Sequence, residues 1–72
     1  MNATQEQIHT TLLDWGAGEP AASQLAEGLA HLAGTEEIPA HAVLAWLREQ
    51  RSPAFRLQDF LAWCRRYHLT SA

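Results

Sequence analysis

Apolar residues recur at the three- and four-residue spacing of an amphipathic helix in four segments of the chain, and no stretch alternates apolar with polar residues as a half-buried strand would. The β-branched apolar residues, which favour strands, are only Ile8, Ile38 and Val43. The pattern therefore predicts a single all-α domain without strands, either a compact bundle or an orthogonal core. The four predicted helices span residues 4–16, 20–33, 39–50 and 53–68.

The predicted helix starts depend on capping residues and prolines. Thr4 followed by Gln7 matches a capping box, and a proline fits the first helical position of each later helix. Those prolines are Pro20, Pro39 and Pro53, the last preceded by Ser52 as a cap. Glycines predict the ends of the first two helices, at Gly16 and Gly18 and at Gly34.

One glycine falls inside a predicted helix. Gly28 lies in the middle of the second helix, where glycine costs about 1 kcal/mol relative to alanine. We interpret it as a point at which another helix approaches closely.

Each predicted helix carries an apolar stripe that would face the core. The stripes are Ile8, Leu12 and Trp15 in the first helix, Leu25, Leu29 and Leu32 flanked by Ala22, Ala26 and Ala33 in the second, Ala40, Val43, Leu44 and Leu47 in the third, and Leu57, Phe60, Leu61 and Cys64 in the fourth. Large aromatic residues also lie outside these stripes. Trp46 falls off the stripe of the third helix, and Trp63 and Tyr67 lie beside the stripe of the fourth.

The amino-acid composition limits the classes to which this protein could belong. A chain of 72 residues, 47% of them apolar, has room for one small core and none for a large enzyme cleft. With Cys64 as its single cysteine the chain forms no intrachain disulfide, which fits a reducing compartment. No run of about 18 apolar residues is present, so we expect a cytoplasmic protein that does not enter a membrane.

Charge is distributed unevenly along the chain. Residues 1–39 carry six carboxylates and no arginine, a charge of −6, whereas residues 40–72 carry five arginines and two carboxylates, a charge of +3. This asymmetry suggests an acidic face and a basic face. Such faces would attract a charged partner, steer a second copy head to tail, or close on each other within the fold.

Catalytic and metal-binding chemistry finds little support in the residue spacing. Only Cys64 and His68 share a helix face at a four-residue spacing, and no metal-ligand motif is present. The stripe position of Cys64 predicts burial, which raises a thiol pKa and makes a poor nucleophile. We therefore expect no enzyme activity, no catalytic residue, no metal and no cofactor.

A helix-turn-helix arrangement is the first alternative for function. The stretch from Leu29 to Gly34, the stretch from Val43 to Trp46 and the following Pro53 resemble the second, third and fourth helices of the lambda-repressor-like family. That resemblance implies a small transcriptional regulator whose third helix contacts DNA through His41, Arg48 and Arg51. The net charge of −3, with Glu36 and Glu37 at the predicted reading edge, opposes phosphate binding, so nucleic acid ranks below protein as a partner.

Protein interaction is the function favoured by the aromatic residues outside the stripes and by the arginines near them. Tryptophan, tyrosine and arginine dominate interface hot spots, and these types are interleaved in the predicted third and fourth helices. We predict a non-enzymatic adaptor, docking or inhibitor module that binds an acidic protein surface, with a homodimer as one form of partner. The predicted partner-binding residues are Trp46, Arg48, Trp63, Arg66 and Tyr67. The competing interpretation is that a core this small consumes every aromatic ring.

Overall fold

The computed structural model of the chain describes residues 2–71, and of Ser71 only the backbone. This part of the chain forms four helices and no strand, so the predicted all-α class is confirmed. The helices are α1 (Ala3–Asp14), α2 (Ala21–Thr35), α3 (Ala40–Gln50) and α4 (Leu57–Ser71). Together they measure 36 × 22 × 18 Å.

Helix α1 begins at Ala3, one residue before Thr4 of the predicted capping box. The side chain of Asn2 caps the helix, because its Oδ1 accepts a hydrogen bond of 2.7 Å from the backbone N–H of Gln5. At the other end Gly16 has a φ of +88°, and the N–H of Ala17 reaches back to the Leu12 carbonyl at 3.0 Å. This is a Schellman ending, which satisfies carbonyls that the helix leaves free.

Helix α2 buries alanines where leucines were predicted. Ala22, Ala26 and Ala33 are buried together with Leu29, whereas Leu25 and Leu32 are only half-buried. Small side chains let two helices approach closely, and this alanine face lies in the core while the leucines flank it.

The helix also continues past its predicted stop. Gly34 lies inside α2, and the left-handed residue that ends the helix is Glu37, with a φ of +57°. The N–H of Ile38 then bonds to the Ala33 carbonyl at 2.9 Å, which completes a Schellman ending without a glycine.

The buried face of α3 is rotated from the predicted one. Val43 and Leu47 are fully buried as expected, but Leu44 is half-buried and Trp46 is only 5% exposed. Because the helix is apolar on most of its circumference, its rotation is decided by burial of the largest ring.

Helix α4 begins at Leu57, four residues after the predicted start at residue 53. Arg51 adopts a left-handed φ of +55° after α3, and the Ser52 hydroxyl accepts only a local hydrogen bond from the Ala54 N–H. The helix start is instead marked by Asp59, whose Oδ2 accepts from the Arg56 N–H at 3.2 Å.

The packing of the helices gives the order α1, α2, α4, α3 around the bundle. Helix α1 packs against α2 and α3, α2 packs against α4, and α3 meets α4 through the rings of Trp46, Phe60 and Trp63. Each helix therefore packs against at least two others. Between α2 and α4, a Cβ at Gly28 would lie 2.9 Å from Leu57 Cδ1, so the atoms that pack on Gly28, where we predicted the close approach of a helix, belong to the side chain of the first residue of α4.

Candidate functional site

Trp46 lies at the centre of an aromatic cluster on the α3/α4 side of the molecule. Its ring centroid lies 5.1 Å from that of Phe55, 5.0 Å from Phe60 and 6.1 Å from Trp63. The first two contacts are edge-to-face, the geometry that aromatic quadrupoles favour. Since Trp46 is 5% exposed, the structure assigns it to the core and removes its ring from the predicted partner-binding surface.

Trp63 and Tyr67 form the outer layer of the cluster. Both side chains are half-buried, and their ring centroids lie 5.4 Å apart. Trp63 also stacks on Phe60, with centroids 5.7 Å apart. The inner rings therefore hold Trp63 in place while part of it stays in contact with water.

Arg66 is the charged neighbour of these two rings. It is exposed on α4, three residues after Trp63, a spacing that places the two side chains on the same helix face. Arg65 is also exposed, but it follows Trp63 by two positions, so it projects from nearly the opposite side of the helix. We call Trp63, Arg66 and Tyr67 the aromatic–arginine face.

Arg48 does not belong to this face. It follows Trp46 by two residues, so a buried Trp46 directs Arg48 to the far side of α3. There it lines an open groove of about 450 Å³ between α1 and α3, together with Glu6, Thr11 and Leu44. The structure thus divides the five predicted residues into a core ring, a groove residue and a contiguous group of three.

Phe55 is a member of the cluster that the five predicted residues did not include. It is half-buried in the loop before α4 and packs edge-to-face on Trp46. Phe55 was predicted to lie within the fourth helix, whereas the structure places it in the loop that precedes α4.

The arginines have no carboxylate partner within residues 2–71. A hydrogen bond joins the His9 ring to the Glu19 carboxylate in this part of the chain, and no guanidinium lies within 4.0 Å of an Asp or Glu oxygen. Asp59, the carboxylate closest in sequence to Arg56, is engaged by a backbone N–H instead. The guanidinium of Arg66 is therefore free to bind a carboxylate from another molecule.

A second polar cluster links α1 to the start of α2. His9 Nε2 donates to Glu19 Oε1 at 2.5 Å, and the Ser23 hydroxyl donates to Glu19 Oε2 at 2.5 Å. The hydrogen bond from Ser23, followed by that from His9, lowers the pKa of the Glu19 carboxyl. Because the Ser23 proton points to the carboxylate and not to the imidazole, this arrangement does not activate the hydroxyl as a nucleophile.

Cys64 is fully buried, as its stripe position predicts. Burial raises the pKa of its thiol, and the charge of Glu36 raises it further. His68, which was considered as its partner, has Nε2 2.6 Å from the Glu36 carbonyl oxygen and donates to it. Within residues 2–71, no group of three or more His, Cys, Asp or Glu side chains is placed to hold a metal ion.

Comparisons with known proteins give no family for this fold and site. No family model matches the chain, and neither the curated proteins nor the solved structures contain a match to it. Across the described residues, none of the helices has the length and apolar character needed to cross a membrane.

Proposed function

We propose that this chain is a small non-enzymatic interaction module that binds an acidic surface of a partner protein through the aromatic–arginine face. The observation that carries the proposal is that two half-buried rings, Trp63 and Tyr67, lie beside Arg66, which has no carboxylate partner within residues 2–71. Tryptophan, tyrosine and arginine are the residue types enriched in interface hot spots.

The packing behind this face supports the proposal. Trp63 rests on the rings of Trp46 and Phe60, so little side-chain freedom would be lost when a partner covers it. Arg66 beside it would supply a planar, always charged donor that pairs with carboxylates in bidentate geometry. The rings would anchor the partner, and the guanidinium would select an acidic one.

The test is capture of a partner from the source cell by the wild-type chain and by Trp63→Ala, Arg66→Glu and Arg65→Glu. The last variant is a matched control, because Arg65 carries the same charge on the same helix but lies away from Trp63. We expect Trp63→Ala and Arg66→Glu to lose the partner and Arg65→Glu to retain it, with circular dichroism confirming that all fold. Equal capture by all four proteins would remove the proposed surface.

The alternative function, DNA binding, is tested by a separate measurement. His41, Arg48 and Arg51, the residues that a helix-turn-helix regulator would use, are exposed on α3 and just after it. Retention of the chain on random duplex DNA that falls steeply with salt would favour the regulator. Under the interaction proposal we expect no retention even at low salt.

A further inference from the structure

We propose that the groove between α1 and α3 is a binding site for a free α-amino acid with an apolar side chain. The residues that line it include one carboxylate, Glu6, and one guanidinium, Arg48, and its volume is about 450 Å³. That volume lies within the range of about 300–1,000 Å³ that small-molecule sites occupy. The groove shares no residue with the aromatic–arginine face, so the inference goes beyond the proposed function and does not depend on it.

Two helix faces form the walls of the groove. On α1 the lining residues Glu6, Gln7 and Thr10 recur at three- and four-residue intervals, which places them on one face of the helix. On α3 the lining residues Leu44 and Arg48 are four positions apart and therefore also share a face. Both helices are anchored in the core by fully buried side chains on their other faces, namely Ile8, Leu12, Val43 and Leu47. The walls thus belong to packed helices, which hold a site more firmly than loops do.

The two charges of the groove do not pair with each other. Within residues 2–71 no Asp or Glu oxygen lies within 4.0 Å of the Arg48 guanidinium, so Glu6 and Arg48 line one groove without forming an ion pair. Both side chains are exposed, and pairs between exposed side chains contribute little even where they form. A ligand that offers an ammonium to Glu6 and a carboxylate to Arg48 therefore displaces no strong internal contact.

These two charges and the leucine beside them define the class of ligand. A free α-amino acid carries its ammonium and its carboxylate on the same carbon atom, so a single small molecule is able to reach both walls. The guanidinium of Arg48 binds a carboxylate in bidentate geometry, which fixes the orientation of the ligand. Leu44 is half-buried and lies four positions before Arg48, where it offers an apolar contact to the side chain of the ligand.

Titration of the isotope-labelled chain with L-leucine, followed by NMR, tests the inference. We expect saturable shifts of the backbone amides around Glu6 and Arg48, with a Kd of about 1 mM because both charged groups are exposed to water. Glu6→Gln and Arg48→Gln should each weaken binding about fivefold, the loss of one exposed ion pair. Glu49→Gln and Arg51→Gln are the matched controls. They remove the same charges from neighbouring positions that do not line the groove, and they should bind L-leucine as the wild type does.

Analogues of the ligand assign each charge to its partner. N-acetyl-L-leucine lacks the ammonium and L-leucinamide lacks the carboxylate, and each should bind the wild type about fivefold more weakly than L-leucine. In Glu6→Gln the loss of the ammonium should cost nothing further, and in Arg48→Gln the same should hold for the loss of the carboxylate. Glycine keeps both charges and should bind more weakly than L-leucine, because it has no side chain to contact Leu44. Salt of about 0.15 M keeps long-range attraction between net charges screened in every titration.

Three outcomes would overturn the inference. The first is the absence of saturable shifts at these amides up to about 10 mM L-leucine, ten times the expected Kd. The second is binding that Glu6→Gln and Arg48→Gln leave unchanged, and the third is equal weakening in the two control variants. Unchanged amide signals outside the groove confirm that each variant is folded. None of these outcomes bears on capture of a partner through Trp63 and Arg66, so the two proposals fail separately.

Discussion

Replacement of Gly28 by alanine measures the contact between α2 and α4. An added Cβ would lie 2.9 Å from Leu57 Cδ1 and 3.3 Å from Leu57 Cδ2, both shorter than an ordinary van der Waals contact. The obstructing atoms are the far end of a side chain that is itself 36% exposed, so Leu57 is able to turn aside. Gly34 is the matched control, because it lies in the same helix and a Cβ there meets nothing within 4 Å.

Two opposing free energies set the expected result. Exchange of a helical glycine for alanine stabilises by up to about 1 kcal/mol, and forcing Leu57 off its rotamer costs about 0.5–1.5 kcal/mol. We therefore expect Gly28→Ala to change the free energy of unfolding by less than about 0.5 kcal/mol, whereas Gly34→Ala gains most of the full amount. In a Leu57→Ala background the obstruction is gone, and Gly28→Ala should recover the gain, a coupling of about 1 kcal/mol.

Thermal unfolding followed by circular dichroism is the assay. A gain of 1 kcal/mol corresponds to a rise in Tm of about 4–8 °C for a domain of this size. If Gly28→Ala raises Tm as much as Gly34→Ala in the wild-type background, Leu57 does not press on Gly28 and the close approach of α4 is refuted. A loss of more than about 2 kcal/mol that persists in the Leu57→Ala background would show that something other than this side chain obstructs the site.

Three further outcomes follow from the structure. Glu37→Gly should stabilise the chain by about 1 kcal/mol because Glu37 has a positive φ, while Glu37→Ala, which removes the charge but keeps the strain, should gain nothing in urea unfolding. Cys64 should react with iodoacetamide far more slowly in the native chain than in urea, since it is buried and its pKa is raised; equal rates would contradict its burial. Because the pKa of Glu19 is lowered in the fold, its contribution to stability should be complete above its ordinary value of 4.5 and disappear as the pH falls through the lower folded value. Glu19→Gln should remove this part of the acid dependence, and identical pH profiles for variant and wild type would show that the contact with His9 and Ser23 contributes nothing.

The sequence was sufficient for the class of fold because helical periodicity and turn residues agree in every segment. It was less reliable for which face each helix buries. Helix α2 is rich in both alanine and leucine, and a hydrophobic pattern favours the leucines although close packing places Ala22, Ala26 and Ala33 in the core. The left-handed turn at Glu37 that follows α2 could not be predicted either, because no sequence signal distinguishes a left-handed glutamate from a helical one.

The candidate site shows the same limit at the level of single rings. Trp46 was expected outside the core because it falls off a stripe defined by counting apolar positions. Counting gives every apolar position the same weight, whereas burial of one indole removes more apolar surface from water than burial of an alanine or a leucine. In the orientation of α3 that buries Trp46, Arg48 faces away from α4. This one orientation therefore accounts for the loss of both residues from the predicted surface of five. The same rotation places a rigid ring behind Trp63, which a helical wheel cannot show because the two residues lie on different helices. The burial of Trp46 therefore removes one anchor from the proposed face and supports the anchor that remains.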